Sequence, residues 1–326
     1  MSETFPAAET ASLTDRGTVR SSNQDACGVF SLGDGMRLLV VCDGLGGHRG
    51  GETASHVALE AIAATVSSGG APSAALMRSA FDDANERILG SSARDPALRG
   101  MATTAVALLF DGARTAWVAH VGDSRAYRVR GGTIAQLTED DSVVAERLRR
   151  GLITPEEAAR LPRNELTRAI GMGVPLEVTV AQVEVVEGDR FVLCSDGLWN
   201  VVEDGEIAAA VMKDSPEEAV QGLVAVANQR GASDNVTVGV FSTGNGRVRE
   251  VLLPASPEAI RAEAARVRSS RPIRVAGWAA LAVALVLIGT LLWLRGVPQV
   301  KVAPAVSAPP PESSASMPSD PEKGSR

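Results

Sequence analysis

The chain has 326 residues, 45% of them hydrophobic, and a formal net charge of −7. That length holds one core of roughly 200 residues or more with material left over. The negative balance lacks the basic face that a phosphate-backbone binder needs, so nucleic acid is not an expected partner. Cys27, Cys42 and Cys194 have no metal-finger spacing and lie in apolar runs, which points to buried thiols in a reducing compartment.

Residues 1–10 have neither a basic start nor an apolar stretch, so they are not a signal peptide and are expected to form a short flexible tail. An apolar run over 36–42 leads to Asp43. Apolar periodicity predicts amphipathic helices over 52–66 and 73–89. Short β-rich runs follow at 103–110, 115–121, 124–129, 133–137, 178–185, 189–194 and 236–241. Between Ser142 and Ile170 lies a polar, helix-prone insertion. Helices are predicted after Glu203 and after Ser215, where Ser215-Pro216-Glu217-Glu218 puts proline at the first helical position and acids against the dipole. Consecutive strands this short favour antiparallel pairing, so the predicted class is α+β, sheet on sheet with helices outside.

Four aspartate-bearing turns lie far apart in the chain, at Asp43-Gly44, Gly122-Asp123-Ser124, Ser195-Asp196-Gly197 and Ser233-Asp234-Asn235. Apolar runs deliver three of them, so the carboxylates are expected at strand ends. Carboxylates gathered from distant segments repel unless cations neutralise them, and an all-oxygen set suits hard ions such as Mg²⁺ or Mn²⁺. Cys42 precedes a glycine-rich turn, as a nucleophilic cysteine can, but the arginine needed six residues on is His48.

Around these aspartates stand Arg20-Ser-Ser-Asn23-Gln24-Asp25, Asp43-Gly44-Leu45-Gly46-Gly47-His48, Gly100-Met101-Ala102-Thr103-Thr104, Gly122-Asp123-Ser124-Arg125, Leu137-Thr138-Glu139-Asp140-Asp141-Ser142, Ser195-Asp196-Gly197-Leu198-Trp199 and Asp234-Asn235-Val236-Thr237. In that order they resemble the motif series of the metal-dependent serine/threonine protein phosphatases, the protein phosphatase 2C or PPM family, in its bacterial form. The resemblance covers roughly residues 13–241 and implies an α-β-β-α sandwich of two antiparallel sheets with the metals at one end. It also implies two Mn²⁺ or Mg²⁺ ions with a possible third. Asp43 would bridge the pair, the Gly44 carbonyl would bind the first ion, and Asp196 and Asp234 the second. Asp123 would support the third ion together with Asp196. Arg20 would grip the substrate phosphate, and Asp25 would order water around the ions. The 142–170 insertion resembles the flap that borders the active site, its arginines suited to recruiting phosphorylated proteins.

Two departures are visible. Gln24 stands where many relatives have Glu, and Asp141 replaces a common histidine. Proton donation by His48 is not favoured over water, and His56 and His120 read as structural. Phosphorylated serine/threonine proteins are the expected substrates, with a cognate kinase as partner. An inactive phosphoprotein-binding regulator and a small-molecule phosphomonoesterase are the competing readings; the intact acidic set argues against the first.

The C-terminal part divides differently. A phosphatase-type domain over 11–243 is followed by a linker over 244–274. The twenty residues 275–294 then carry no charge, between Arg274 and Arg295, with Trp278 and Trp293 near the two ends. Such a stretch spans about 30 Å as a helix, so a transmembrane helix is predicted. Residues 295–326 are rich in Pro, Ser and Ala and are expected to be disordered. Arg261, Arg266, Arg268, Arg271 and Arg274 precede the segment, whereas Arg295 and Lys301 follow it. That imbalance predicts a single-pass protein of the cytoplasmic membrane with its catalytic domain in the cytosol.

Overall fold

Strand alternation decides the layers. The computed structural model describes residues 8–46, 49–162, 165–173 and 175–244. In chain order its elements are β1 (Glu9–Asp15), β2 (Asp25–Ser31), β3 (Arg37–Leu45), α1 (Gly50–Ser68), α2 (Ala74–Arg94), β4 (Ala102–Thr103), β5 (Ala105–Phe110), β6 (Thr115–Val121), β7 (Arg125–Arg130), β8 (Thr133–Gln136), α3 (Val143–Arg149), α4 (Pro155–Ala158), β9 (Thr179–Glu184), β10 (Arg190–Cys194), α5 (Asp196–Trp199), α6 (Asp204–Lys213), α7 (Pro216–Gln229) and β11 (Val236–Ser242). One sheet runs β1-β11-β10-β7-β8. The other runs β2-β3-β5-β6-β9, with β4 added on β3. Every strand pair is antiparallel.

Three apolar layers separate these elements. Leu38, Val40 and Cys42 of β3 pack with Ile62, Met77 and Phe81 of α1 and α2. The intervening Leu39 and Val41 join Leu108, Phe110, Phe191, Leu193 and Phe241 in the layer between the sheets. Val192 and Cys194 of β10 turn the other way, toward Ile207, Val211 and Leu223 of α6 and α7. Because successive side chains of a strand point to opposite faces, each buried strand serves two cores, and the result is the predicted α-β-β-α sandwich. Ser73 caps α2 through Leu76 N–H, and Ser215 and Glu218 form a capping box on α7.

The differences from the sequence reading have local causes. Glu9 and Thr10, assigned to a flexible tail, open β1, whose polar sequence is held by seven register pairs with β11, from Glu9–Ser242 to Asp15–Val236. Asp43 lies inside β3, not at its end, because Gly44 and Leu45 extend the strand by pairing with Thr103 and Ala102 of β4. Asp196 opens a single helical turn, α5, too short to show periodicity. No helix among the described residues is long and apolar enough to cross a membrane. The predicted span at 275–294, the linker and the C-terminal tail lie outside the described residues.

Candidate active site

Register brings the acidic residues to one end of the sandwich. Asp25 and Asp43 are direct partners across β2 and β3. The β7–β10 ladder ends at the pair Arg125–Cys194, and two residues beyond each stand Asp123 and Asp196. Asp234 lies just before β11, the neighbour of β10. Two sheets therefore contribute to one rim. Backbone approaches there leave no room for side chains. A Cβ on Gly44 would lie 2.2 Å from Gly51 O, and one on Gly197 would lie 2.0 Å from Asn235 O. Both sites require glycine.

Hydroxyl and amide groups fix the turns. Asp43 N–H donates to Thr104 Oγ1 at 3.1 Å, and the Asp43 carbonyl accepts from Thr103 Oγ1 at 2.8 Å and from Thr104 N–H at 2.8 Å. Thr104 Oγ1 lies 2.7 Å from Ser124 Oγ, next to Asp123. Asp25 Oδ2 accepts from Ser195 Oγ at 2.8 Å and Thr237 Oγ1 at 2.6 Å, so a carboxylate of one sheet is held by hydroxyls of the other. Asn235 Oδ1 accepts from Gln24 N–H at 2.8 Å, and its Nδ2 donates to Arg16 O and Ser22 O at 2.8 and 2.9 Å, which ties down the loop carrying Arg20. Sequence reasoning assigned no role to Thr103, Thr104, Ser195, Thr237 or Asn235. The signal was there, because each stands inside a motif beside an aspartate or a partner of one.

Arg20, expected on a substrate phosphate, places Nη2 2.6 Å from Asp234 Oδ2. Its side chain is half exposed at a cleft of about 420 Å³ lined also by Leu161, Asp196, Asn200, Val201 and Ser233. Asn200 Nδ2 donates to Asp196 Oδ2 at 3.3 Å, whereas Asp196 Oδ1 is buried without a hydrogen-bond partner. Such an orphaned carboxylate oxygen is costly in a protein interior unless something else binds it.

The electrostatics point the same way. Burial, then Asp25, Asp196, Asp123 and Asp234, hold the Asp43 carboxyl well above the usual range. Burial also raises Asp25 to about 7, Asp123 to about 8 and Asp196 to about 6, with neighbouring aspartates adding to each shift. Among the described residues no group of three or more acidic, histidine or cysteine side chains is already arranged as a metal-ligand set. The donor chemistry nevertheless fits hard divalent cations, since it is all carboxylate and backbone oxygen and includes an unpartnered buried Oδ1.

A sign follows for stability. These carboxyls have folded values above the unfolded value of about 4, so their favourable contribution is complete below pH 4 and is lost as pH rises through about 6 to 8. The melting temperature of chelator-treated protein is expected to fall from pH 5 to pH 8.5, and saturating Mn²⁺ to flatten the slope. A chelator-treated protein whose stability rose over that interval would contradict the clustering.

The remaining candidates sort clearly. Asp141 is buried, accepts from Gly122 N–H at 3.0 Å through Oδ2, and is ion-paired with Arg168. That contact fastens the Asp123 turn to the chain returning from α3 and α4. His56 Nδ1 and His120 Nε2 lie 2.8 Å from the carbonyls of Glu52 and Glu139, which fits structural roles. His48 lies outside the described residues. Burial pushes the Cys42 and Cys194 thiols up and raises Cys27 to about 11, and all three are free, so none has thiolate character.

The model of the family described as Protein phosphatase 2C matches residues 16–233. Serine/threonine protein phosphatase PstP of Mycobacterium tuberculosis is 39% identical over 229 residues, which are 70% of this chain and 43% of that protein. The chain therefore spans less than half of PstP. Serine/threonine phosphatase stp of Listeria welshimeri is 37% identical over 232 residues, 69% of this chain and 92% of the relative. The crystal structure of the PstP catalytic domain in complex with two manganese ions has a TM-score of 0.65 at 36% identity, covering 72% of this chain and 97% of that one. With the motif order, the sandwich and the clustered aspartates, these matches establish that the chain belongs to the protein phosphatase 2C family.

Proposed function

We propose that this protein hydrolyses phosphoserine and phosphothreonine in other proteins, using two Mn²⁺ or Mg²⁺ ions at the Asp43–Asp196–Asp234 end of the sandwich. The observation that carries this reading is that Asp196 and Asp234 line one open cleft with Arg20, while Asp43 feels the charges of both and of Asp25 and Asp123, in a chain of this family. When bound, the ion pair would neutralise the phosphoryl oxygens and acidify a water in line with the leaving oxygen. Asp43 is assigned to hold both ions, the Gly44 carbonyl the first, and Asp196 and Asp234 the second. Arg20, half exposed at the cleft mouth, is assigned to the phosphate, for which its planar fork is suited. Asp25 stays behind Asp43, where Ser195 and Thr237 orient it. The described histidines are engaged with backbone carbonyls, so water is the assigned proton donor to the leaving oxygen.

The open cleft, reached by Leu161 from the α3–α4 insertion, favours a side chain presented by a protein over an enclosed small molecule. Membrane attachment through 275–294, a cytosolic catalytic domain and the reversal of a serine/threonine kinase belong to the same proposal. Turnover of a phosphothreonine peptide by the full-length protein, with and without Mn²⁺, and against a sugar phosphate, tests it. Metal-dependent activity on the peptide is expected. Binding of phosphopeptide without turnover would favour the inactive regulator, and preference for the sugar phosphate the small-molecule enzyme. Protease protection of an N-terminal tag, with a tag at Arg326 cleavable from the cytosolic side, would overturn the topology.

Asp123→Asn is expected to leave the folded state and tight Mn²⁺ binding intact while slowing turnover, because Asp123 is assigned only to a third, weaker ion shared with Asp196. Calorimetry showing loss of all tight binding would make Asp123 a ligand of the principal pair.

A further inference from the structure

Trp199 closes the single turn α5, three residues after Asp196, so the two side chains rise from the same side of one helical turn. Its indole Nε1–H donates to the Asp123 carbonyl at 3.1 Å. The contact joins the two carboxylate-bearing turns beyond the point where the β7–β10 ladder stops at Arg125–Cys194. Arg125, two residues past Asp123, lies with its guanidinium 3.7 Å from the Trp199 ring centroid. The same guanidinium holds Asp140 with Nε–Oδ1 at 2.9 Å and Nη2–Oδ2 at 2.7 Å, and donates to the Tyr127 hydroxyl at 3.1 Å. The ring is thus clamped on its face by a fixed cation and on its edge by a backbone acceptor. Trp199 is buried, and so are Asp123 and Ser124. A guanidinium over an indole is a favourable arrangement, and the bonds to Asp140 and Tyr127 hold Arg125 in it.

We propose that Trp199 is a positioning residue, whose indole N–H sets the separation of Asp123 from Asp196 and so the affinity of the weaker ion they share. The inference rests on the roles assigned above to those two aspartates. It gives the tryptophan a task beyond core packing, because its N–H donates to the Asp123 carbonyl.

Trp199→Phe keeps a ring face under Arg125 and removes one donor. In calorimetric Mn²⁺ titrations of the full-length protein, the tight phase is expected to be unchanged and the weak phase to lose about 3-fold to 10-fold in affinity, the usual reach of one hydrogen bond. Turnover should fall with KM unchanged and recover as Mn²⁺ is raised. In an Asp123→Asn background the same substitution should add nothing, since the group it positions is gone. An unmoved weak phase, additive effects in the double variant, or loss of the fold in Trp199→Phe would each overturn the proposal, the last by making the indole a structural pin. Should Asp123→Asn itself change neither the weak phase nor turnover, the role given to Asp123 fails. Slow Asp123→Asn beside normal Trp199→Phe would remove the indole's role alone.

Discussion

Asp43→Asn is expected to lower turnover by about 10³-fold or more at any substrate concentration, and at the same time to stabilise the chelator-treated protein. The rate effect follows from charge. On the proposed reading Asp43 would supply the negative charge that lets two cations be held near each other and acidify water, and an amide would supply none. Thr103 and Thr104 hold the residue 43 backbone from both sides, so the asparagine will stand where the aspartate stood and the change is one of charge, not place. The stability effect has the opposite sign. Burial and the neighbouring Asp25, Asp196, Asp123 and Asp234 oppose ionisation of the Asp43 carboxyl, and an amide that does not ionise escapes that cost in the folded state. Steady-state kinetics and melting curves with chelator check both halves. Metal-independent activity that survived Asp43→Asn would remove the two-metal mechanism, and with it the central functional claim.

Arg20→Ala is expected to cost about 30-fold to 1000-fold in kcat/KM, or about 2–4 kcal/mol of transition-state binding, with a raised KM where ground-state contact dominates. The side chain is 51% exposed and makes one ion pair, so the fold should be unaffected. Lysine should rescue poorly, because a point charge cannot reproduce a fork that spans two phosphoryl oxygens. The Arg20–Asp234 contact adds a separable consequence. Without Arg20, Asp234 loses its cation, and Mn²⁺ should bind somewhat more tightly even as turnover drops. A variant with unchanged kcat/KM on phosphopeptide would take Arg20 out of the substrate site.

Much of this was legible in the sequence because strands with apolar runs announce themselves twice, by pattern and by the turns they feed. The strand at Thr115–Val121 and the helix start at Ser215 were read from such signals. Strand β1 was not, since a polar segment such as Glu9–Asp15 becomes a strand only through a partner more than 200 positions away. The acidic residues could be picked out, but not their surroundings. That Asp25 answers to Ser195 and Thr237, or that Arg20 lies on Asp234, depends on how two sheets meet, and no local pattern encodes it.

Asp25 and Asp43 ride on one sheet while Asp196 and Asp234 adjoin the strands of the other. The gap between the two groups is therefore a caliper whose jaws are the sheets, set by whatever thickness of side chain lies between them. Gly239 of β11 leaves space for Leu39 of β3, and a Cβ there would fall 2.7 Å from Leu39 Cδ1. Leu39 is four positions, roughly 13 Å of strand, from Asp43. A methyl group at residue 239 would have to displace the Leu39 side chain in the layer that spaces the jaws, without touching any proposed ligand, so the packing of this interface bears on the spacing of the acidic rim as well as on the fold.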